Sequence, residues 1–292
     1  MSYIKAGTDS SGNDVKLFYQ DLGSGTPVVL IHGWPLGHEM WDYQLAELPA
    51  HGIRVVAYDR RGFGKSSQPW DGYDYDTMAD DLKAVLDELD LKNVTLVGFS
   101  MGGGEVARYM SRHGGARVAK VAFVSAVTPY LLKTDDNPDG VDQSVFDEIL
   151  DGLQKDRADF LQTFGKQFYG VNLISKPVSQ AHLDGDFARA YVASQRATVE
   201  CAKAFAMTDF RDDLAQIQVP ALVIHGDSDK TVPIEASGER TANALPTAQY
   251  IVYDGAPHGI FMTEKDRLNE DLISFILEGV NVRQSADASA AY

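Results

Sequence analysis

The chain has 292 residues, 26 Lys+Arg against 42 Asp+Glu, a formal net charge of −16 and 44% hydrophobic residues. That is the composition of a folded globular protein, and its acidity excludes nucleic acid and anionic membrane as partners, since both need a basic excess. One cysteine, Cys201, excludes an internal disulfide framework or a Cys-rich zinc site, so the expectation is a soluble protein of the reducing cytoplasm.

Met1 to Gly12 has a single Lys and no apolar centre, so no signal peptide is expected. No apolar run reaches the roughly 18 residues of a membrane-spanning helix. Val15–Tyr19, Val28–Ile31 and Val55–Tyr58 are short β-branched or aromatic runs and read as strands. In Thr77–Leu89, apolar Met78, Leu82, Val85 and Leu89 recur at helical steps with acids on the opposite face. Strand Val94–Val97, helix Met101–Ser111 and strand Val121–Val124 follow. The last lies in the apolar stretch Val118–Val127, which Lys120 interrupts. From about Pro129 to Thr208 no strand pattern occurs, and Val145–Lys155, Ala158–Phe168 and Phe187–Ala206 read as helices. Strands Leu222–Ile224 and Tyr250–Val252 and helix Arg267–Leu277 resume the alternation, and the small, polar end is expected to fray. The order predicts an α/β fold, a mostly parallel central sheet with helices on both faces. Residues 1–129 and 209–283 form its core, 130–208 a helical cap over the carboxyl ends of the strands, and 284–292 a flexible tail.

Gly98-Phe99-Ser100-Met101-Gly102 stands between a predicted strand and a predicted helix. There G-x-S-x-G makes a sharp turn that exposes a serine hydroxyl at its apex, with a helix N-terminus behind it to favour a developing anion. Without that context the serine would be a simple N-cap. A serine nucleophile needs a general base held by a carboxylate. Of seven histidines, His51 and His113 read as solvated, and His38 and His182 fall in loop or cap. His258, in Ala256-Pro257-His258-Gly259 after the last core strand, is aimed at the strand ends. The acid belongs in His225-Gly226-Asp227-Ser228-Asp229-Lys230, where spacing favours Asp229 but leaves Asp227 open, since Asp also serves to hold turns. Acyl transfer further needs two backbone N–H groups for the oxyanion. Met101 follows the nucleophile, and Trp34 follows the strand exit His32-Gly33. Gly64-Lys65-Ser66 has the look of a phosphate-loop end, but Asp59 stands where its first glycine belongs. Phe160, Phe164 and Phe168 repeat every four residues, a packing stripe of which Phe164 and Phe168 are expected to face the substrate. Pro35, Val232 and Ile260 complete the expected pocket wall.

Together Ile31-His32-Gly33-Trp34-Pro35, Tyr58 through Ser66, Val97 through Gly104 and Ala256-Pro257-His258-Gly259 resemble the α/β-hydrolase superfamily. Within it they resemble the bacterial arylesterase and cofactor-free haloperoxidase (perhydrolase) group. The resemblance implies a Ser100, Asp229 and His258 triad with Trp34 and Met101 as oxyanion donors. It selects Asp229 over Asp227, implies no metal or organic cofactor, and suggests a homo-oligomer. The expected activity is hydrolysis of small carboxylic (aryl) esters through an acyl-enzyme. The alternative is a haloperoxidase that makes peracid from hydrogen peroxide and a carboxylic acid. In that reading Pro35 reorients the Trp34–Pro35 peptide so that the Trp34 carbonyl accepts from peroxide. Lactone or C–C hydrolysis uses the same residues, and a non-catalytic ligand receptor is a further class.

Overall fold

The computed structural model describes residues 2–246 and 248–279. Eight strands form one sheet in the order β1-β2-β4-β3-β5-β6-β7-β8. They are β1 (Ser2–Thr8), β2 (Asp14–Leu22), β3 (Thr26–Ile31), β4 (Ile53–Tyr58), β5 (Val94–Phe99), β6 (Val118–Val124), β7 (Ala221–Gly226) and β8 (Ala248–Tyr253). β1 and β2 pair antiparallel and β2 joins β4 antiparallel, while every pairing from β4 through β8 is parallel. The central strands β5 and β7 are buried along their whole length, as continuous apolar runs covered on both faces must be. β1 escapes the sequence pattern because Ile4 alone is fully buried in it and, apart from half-buried Ala6, its other positions are exposed.

Around the sheet lie α1 (Asp42–Glu47), α2 (Tyr75–Glu88) and α3 (Met101–Arg112). Between β6 and β7 the chain makes α4 (Gln143–Lys155), α5 (Arg157–Phe168), α6 (Gln180–Val192) and α7 (Gln195–Met207). The short α8 (Arg211–Leu214), α9 (Gly238–Ala244) and α10 (Ile260–Thr263) follow, then α11 (Lys265–Leu277). The single helix expected over Phe187–Ala206 is two helices. Ser194 caps α7 by accepting from Ala197 N, and its own N–H donates to Gly62 O at 2.8 Å, pinning the break to the loop after β4. Buried Ala190, Ala193 and Ala197 keep the apolar spacing across the break, so periodicity hides it. Lys120, the interruption in β6, carries its ammonium to the end of α11, where Phe275 O accepts at 2.6 Å and Glu278 O at 2.7 Å.

His38, which the sequence leaves in a loop, is fully buried. Asp59 Oδ1 accepts from both His38 N and His38 Nδ1 at 2.7 Å, and Asp59 Oδ2 accepts from Lys65 N at 2.8 Å. The segment that imitates a phosphate loop is thus wound around a buried carboxylate, which would repel phosphate. No helix among the described residues is long and apolar enough to cross a membrane. The expected tail, 284–292, lies outside the described residues.

Candidate active site

β5 ends at Phe99, Ser100 turns the chain at φ +53°, ψ −118°, and α3 begins at Met101. A serine at positive φ is strained, and packing on both sides holds it there. A Cβ at Gly98 would lie 2.4 Å from Gly102 O, one at Gly102 2.6 Å from Ile31 O, and one at Gly103 2.4 Å from the Ala126 Cβ. The three glycines are therefore steric requirements of the turn. β6 fixes the turn from the side, with Ser100 N donating to Val124 O at 2.9 Å.

The loops after β7 and β8 carry Asp229 and His258 to the same place. His258 Nε2 is 3.0 Å from Ser100 Oγ, and His258 Nδ1 is 2.6 Å from Asp229 Oδ2. An ionised carboxylate only accepts, so Nδ1 carries the proton and Nε2 is left to accept from the serine. Rings of Phe99 and Phe168 flank the imidazole, with centroids 4.9 and 4.7 Å away. Asp229 Oδ1 accepts from Thr231 N at 2.9 Å and Val232 N at 2.8 Å. Burial alone would raise the Asp229 carboxyl, but the charge of His258 and hydrogen bonds from His225 and His258 outweigh it and hold the group well below its ordinary value. Asp227, the other candidate of that loop, accepts from Gly255 N at 2.7 Å and ties the two loops together.

The loop after β3 reaches Ser100 from the other side. A Cβ on Gly33 would lie 3.1 Å from the Ser100 Cβ, so the backbone entering Trp34 passes against the serine. Neither Trp34 N nor Met101 N donates to an oxygen of the described residues. The Trp34 indole Nε1 donates to Thr198 O on α7 at 2.9 Å, and the Trp34–Pro35 peptide is cis. Behind the loop sits a buried ionic brace that the sequence does not disclose. Arg60 donates through Nη2 to His32 O at 2.8 Å and through Nε to Glu105 on α3, which also accepts from Tyr58 OH at 2.6 Å. Burial and the neighbouring Arg60 push the His32 imidazole down to about 3, so it is neutral and accepts from Arg60 N.

Ser100 and His258 open on a cavity of about 330 Å³. Phe164 and Val232 line it, as expected, with Trp34, Phe146, Phe160 and Phe205. The other expected wall residues sit elsewhere. Pro35 and Phe168 line a smaller neighbouring cavity between α5 and α6, which Phe164 also borders. Ile260 is wholly buried behind His258, its N–H donating to His258 O at 2.8 Å. Pocket residues from α4 and α7 were missed because an amphipathic helix shows which face is apolar but not what that face covers.

The sequence pattern of the alpha/beta hydrolase fold family matches residues 26–265. A putative non-heme chloroperoxidase of Synechocystis sp. is 44% identical over 277 residues, 94% of this chain and 100% of that protein. A bifunctional esterase/perhydrolase of Acinetobacter calcoaceticus is 40% identical over 94% of this chain and 99% of its own length. The crystal structure of a bromoperoxidase from Bacillus anthracis superposes with a TM-score of 0.91 at 46% identity, covering 95% of this chain and 99% of that one. With the sheet order, the sharp turn at Ser100 and likeness over nearly its whole length, this chain belongs to the alpha/beta hydrolase fold family.

Proposed function

We propose that the protein is a serine hydrolase of small carboxylic esters, aryl esters in particular, working through an acyl-enzyme. The unbroken relay from Ser100 Oγ through His258 to Asp229, opening on an apolar cavity, carries the reading. His258 takes the proton of Ser100 as the oxygen attacks the ester carbonyl, and Asp229 holds the ring in its Nδ1–H form and stabilises the imidazolium. The N–H groups of Trp34 and Met101 take up the oxyanion, each contributing about 3 kcal/mol in the transition state. His258 then returns the proton to the leaving alcohol, and water activated by the same ring releases the acid. In this reading residues 1–129 and 209–283 are the catalytic core and 130–208 the cap that roofs the pocket.

The expected pH dependence follows from the acid. Asp229 stays ionised far into the acid range, so it adds no proton to the fall of kcat/KM at low pH, and the limiting slope there should not exceed one. Because folding lowers the carboxyl, its contribution to stability is present above the ordinary value near about 4 and is lost only as pH falls through the depressed one. Activity should therefore fade well before Asp229 weakens the fold, which paired kinetic and melting profiles from pH 4 to 8 test; a slope of two would contradict it.

Phe164 divides the catalytic cavity from the smaller one beside Pro35. Phe164→Ala should join them and shift the preferred p-nitrophenyl ester toward longer acyl chains. Rates across an acetate-to-octanoate series read this directly.

The second reading is perhydrolysis, supported by the names of the Synechocystis and Acinetobacter relatives. Here hydrogen peroxide replaces water on the acyl-enzyme, releasing peracid and free Ser100. The peracid then oxidises halide to hypohalite and returns to the carboxylic acid, so no metal is required. Pro35 offers no N–H to the loop carrying Trp34. Pro35→Leu is expected to lower peracid formation relative to ester hydrolysis, and an unchanged ratio would separate Pro35 from this activity. Residence in the cytoplasm and assembly as a homo-oligomer belong to the same proposal. The buried free thiol of Cys201 supports the first, and resemblance alone supports the second.

A further inference from the structure

The Asp229 carboxylate has a second histidine neighbour. His225, the penultimate residue of β7, is wholly buried and places Nε2 2.9 Å from Val232 O and 3.2 Å from Asp229 Oδ2. Both oxygens can only accept, so Nε2 carries a hydrogen, donated to the carbonyl of a wall residue of the pocket and lying beside the oxygen that already accepts from His258. The opposite nitrogen, Nδ1, is buried with no hydrogen-bond partner among the described residues. It faces the backbone of Gly238, where a Cβ would lie 2.5 Å away. A proton on Nδ1 would meet no acceptor there. The loop has further ties of its own. Asp229 N already donates to Gly226 O at 3.3 Å and Ser228 N to Ala256 O at 3.1 Å.

We infer that His225 is a positioning residue of this site: its Nε2–H fixes the rotation of the Asp229 carboxylate and withdraws charge from the oxygen facing His258. The inference rests on the triad reading above. Four N–H groups then surround the carboxylate, those of Thr231 and Val232 on Oδ1 and those of His225 and His258 on Oδ2. Removing the His225 donor frees the carboxylate to turn, so His258 is held less well and turnover falls. It also concentrates charge on Oδ2, which stabilises the His258 imidazolium and moves the acid limb to higher pH. The groups that set this limb are Asp229 and Ser100 in contact with the ring, the Phe99 and Phe168 rings on its faces, and His225 behind the carboxylate.

The test uses the full chain, an aryl acetate and pH profiles of kcat and KM for His225→Leu and His225→Gln, with Ser100→Ala as control. Leu fills the site but donates nothing, whereas Gln Nε2 reaches about as far as the imidazole Nε2. For His225→Leu, kcat should fall about tenfold or more with KM nearly unchanged, as when the orienting partner behind a ligand is removed. Its acid limb should rise by roughly half a pH unit. His225→Gln should regain most of the rate and the original limb. Wild-type kcat and an unmoved limb in folded His225→Leu would overturn the inference, as would equal impairment of Leu and Gln. Should His225→Leu not fold, His225→Asn replaces it: its shorter amide cannot reach Oδ2, and equal rates for Asn and Gln would overturn the inference. Turnover retained by Ser100→Ala would instead overturn the triad reading itself.

Discussion

Ser100→Ala is expected to lower kcat for p-nitrophenyl acetate by about a millionfold, the scale seen when the nucleophile of a working triad is removed. The reason is geometric. Ser100 Oγ is the atom that His258 Nε2 faces at 3.0 Å, and the alanine leaves nothing for the base to activate. A residual rate of about a thousandfold over water should survive, because in the proposed function the N–H groups of Trp34 and Met101 and the pocket still hold the ester. The same variant should show no burst of nitrophenol and no acylated protein by mass, and it should make no peracid from acetate and peroxide. Loss of one activity without the other would mean that hydrolysis and perhydrolysis do not share the acyl-enzyme. Its melting temperature should stay close to the parent's, since a small side chain leaves the three required glycines and the Ser100 N–Val124 O bond in place.

Glu105→Ala should act mainly on stability. Arg60 and Glu105 are both wholly buried, and their pairing joins the loop that leads to Trp34 to the helix that begins at Met101. Burial pushes the Glu105 carboxyl up, and the Arg60 charge and the Tyr58 hydroxyl oppose it. Taking the glutamate away strands a guanidinium in the core, which costs about 3–5 kcal/mol. In a chain of this size that corresponds to a fall of about 10 °C in melting temperature. Replacing both partners, Arg60→Met with Glu105→Leu, should recover much of the loss, because the uncompensated charge goes with them. Thermal melts of the two variants decide it, and equal destabilisation by the single and the double change would refute the account. The double variant should still hydrolyse esters more slowly, since Arg60 Nη2 no longer holds His32 O beside the expected oxyanion site.

The turn at Ser100 was legible because its requirements are local. A turn with Ser100 at positive φ needs Gly98, Gly102 and Gly103 around it, and a strand and a helix on either side, and all of these are consecutive in the chain. His258 could be singled out from the same kind of local setting. The acid was harder. Asp227 and Asp229 share one loop, and their different tasks depend on what the next strand's loop brings to them: Gly255 N for one, His258 for the other. His225 has no local signature as a partner of Asp229, because at the end of a buried strand it reads as one more core residue. Arg60 and Glu105 lie 45 positions apart and look like ordinary surface charges until the fold buries them against each other.

The sequence by itself determined the alternation of strands and helices, the helical region between β6 and β7, and the local settings of Ser100 and His258. Each depends on contacts within a few residues or on periodicity, which a linear pattern records. The tertiary structure alone decided which faces of α4, α5 and α7 enclose the pocket, where Pro35, Phe168 and Ile260 go, and how the buried charges pair. Those outcomes depend on contacts between segments far apart in the chain, formed only when the sheet is assembled and neighbouring loops are packed against one another.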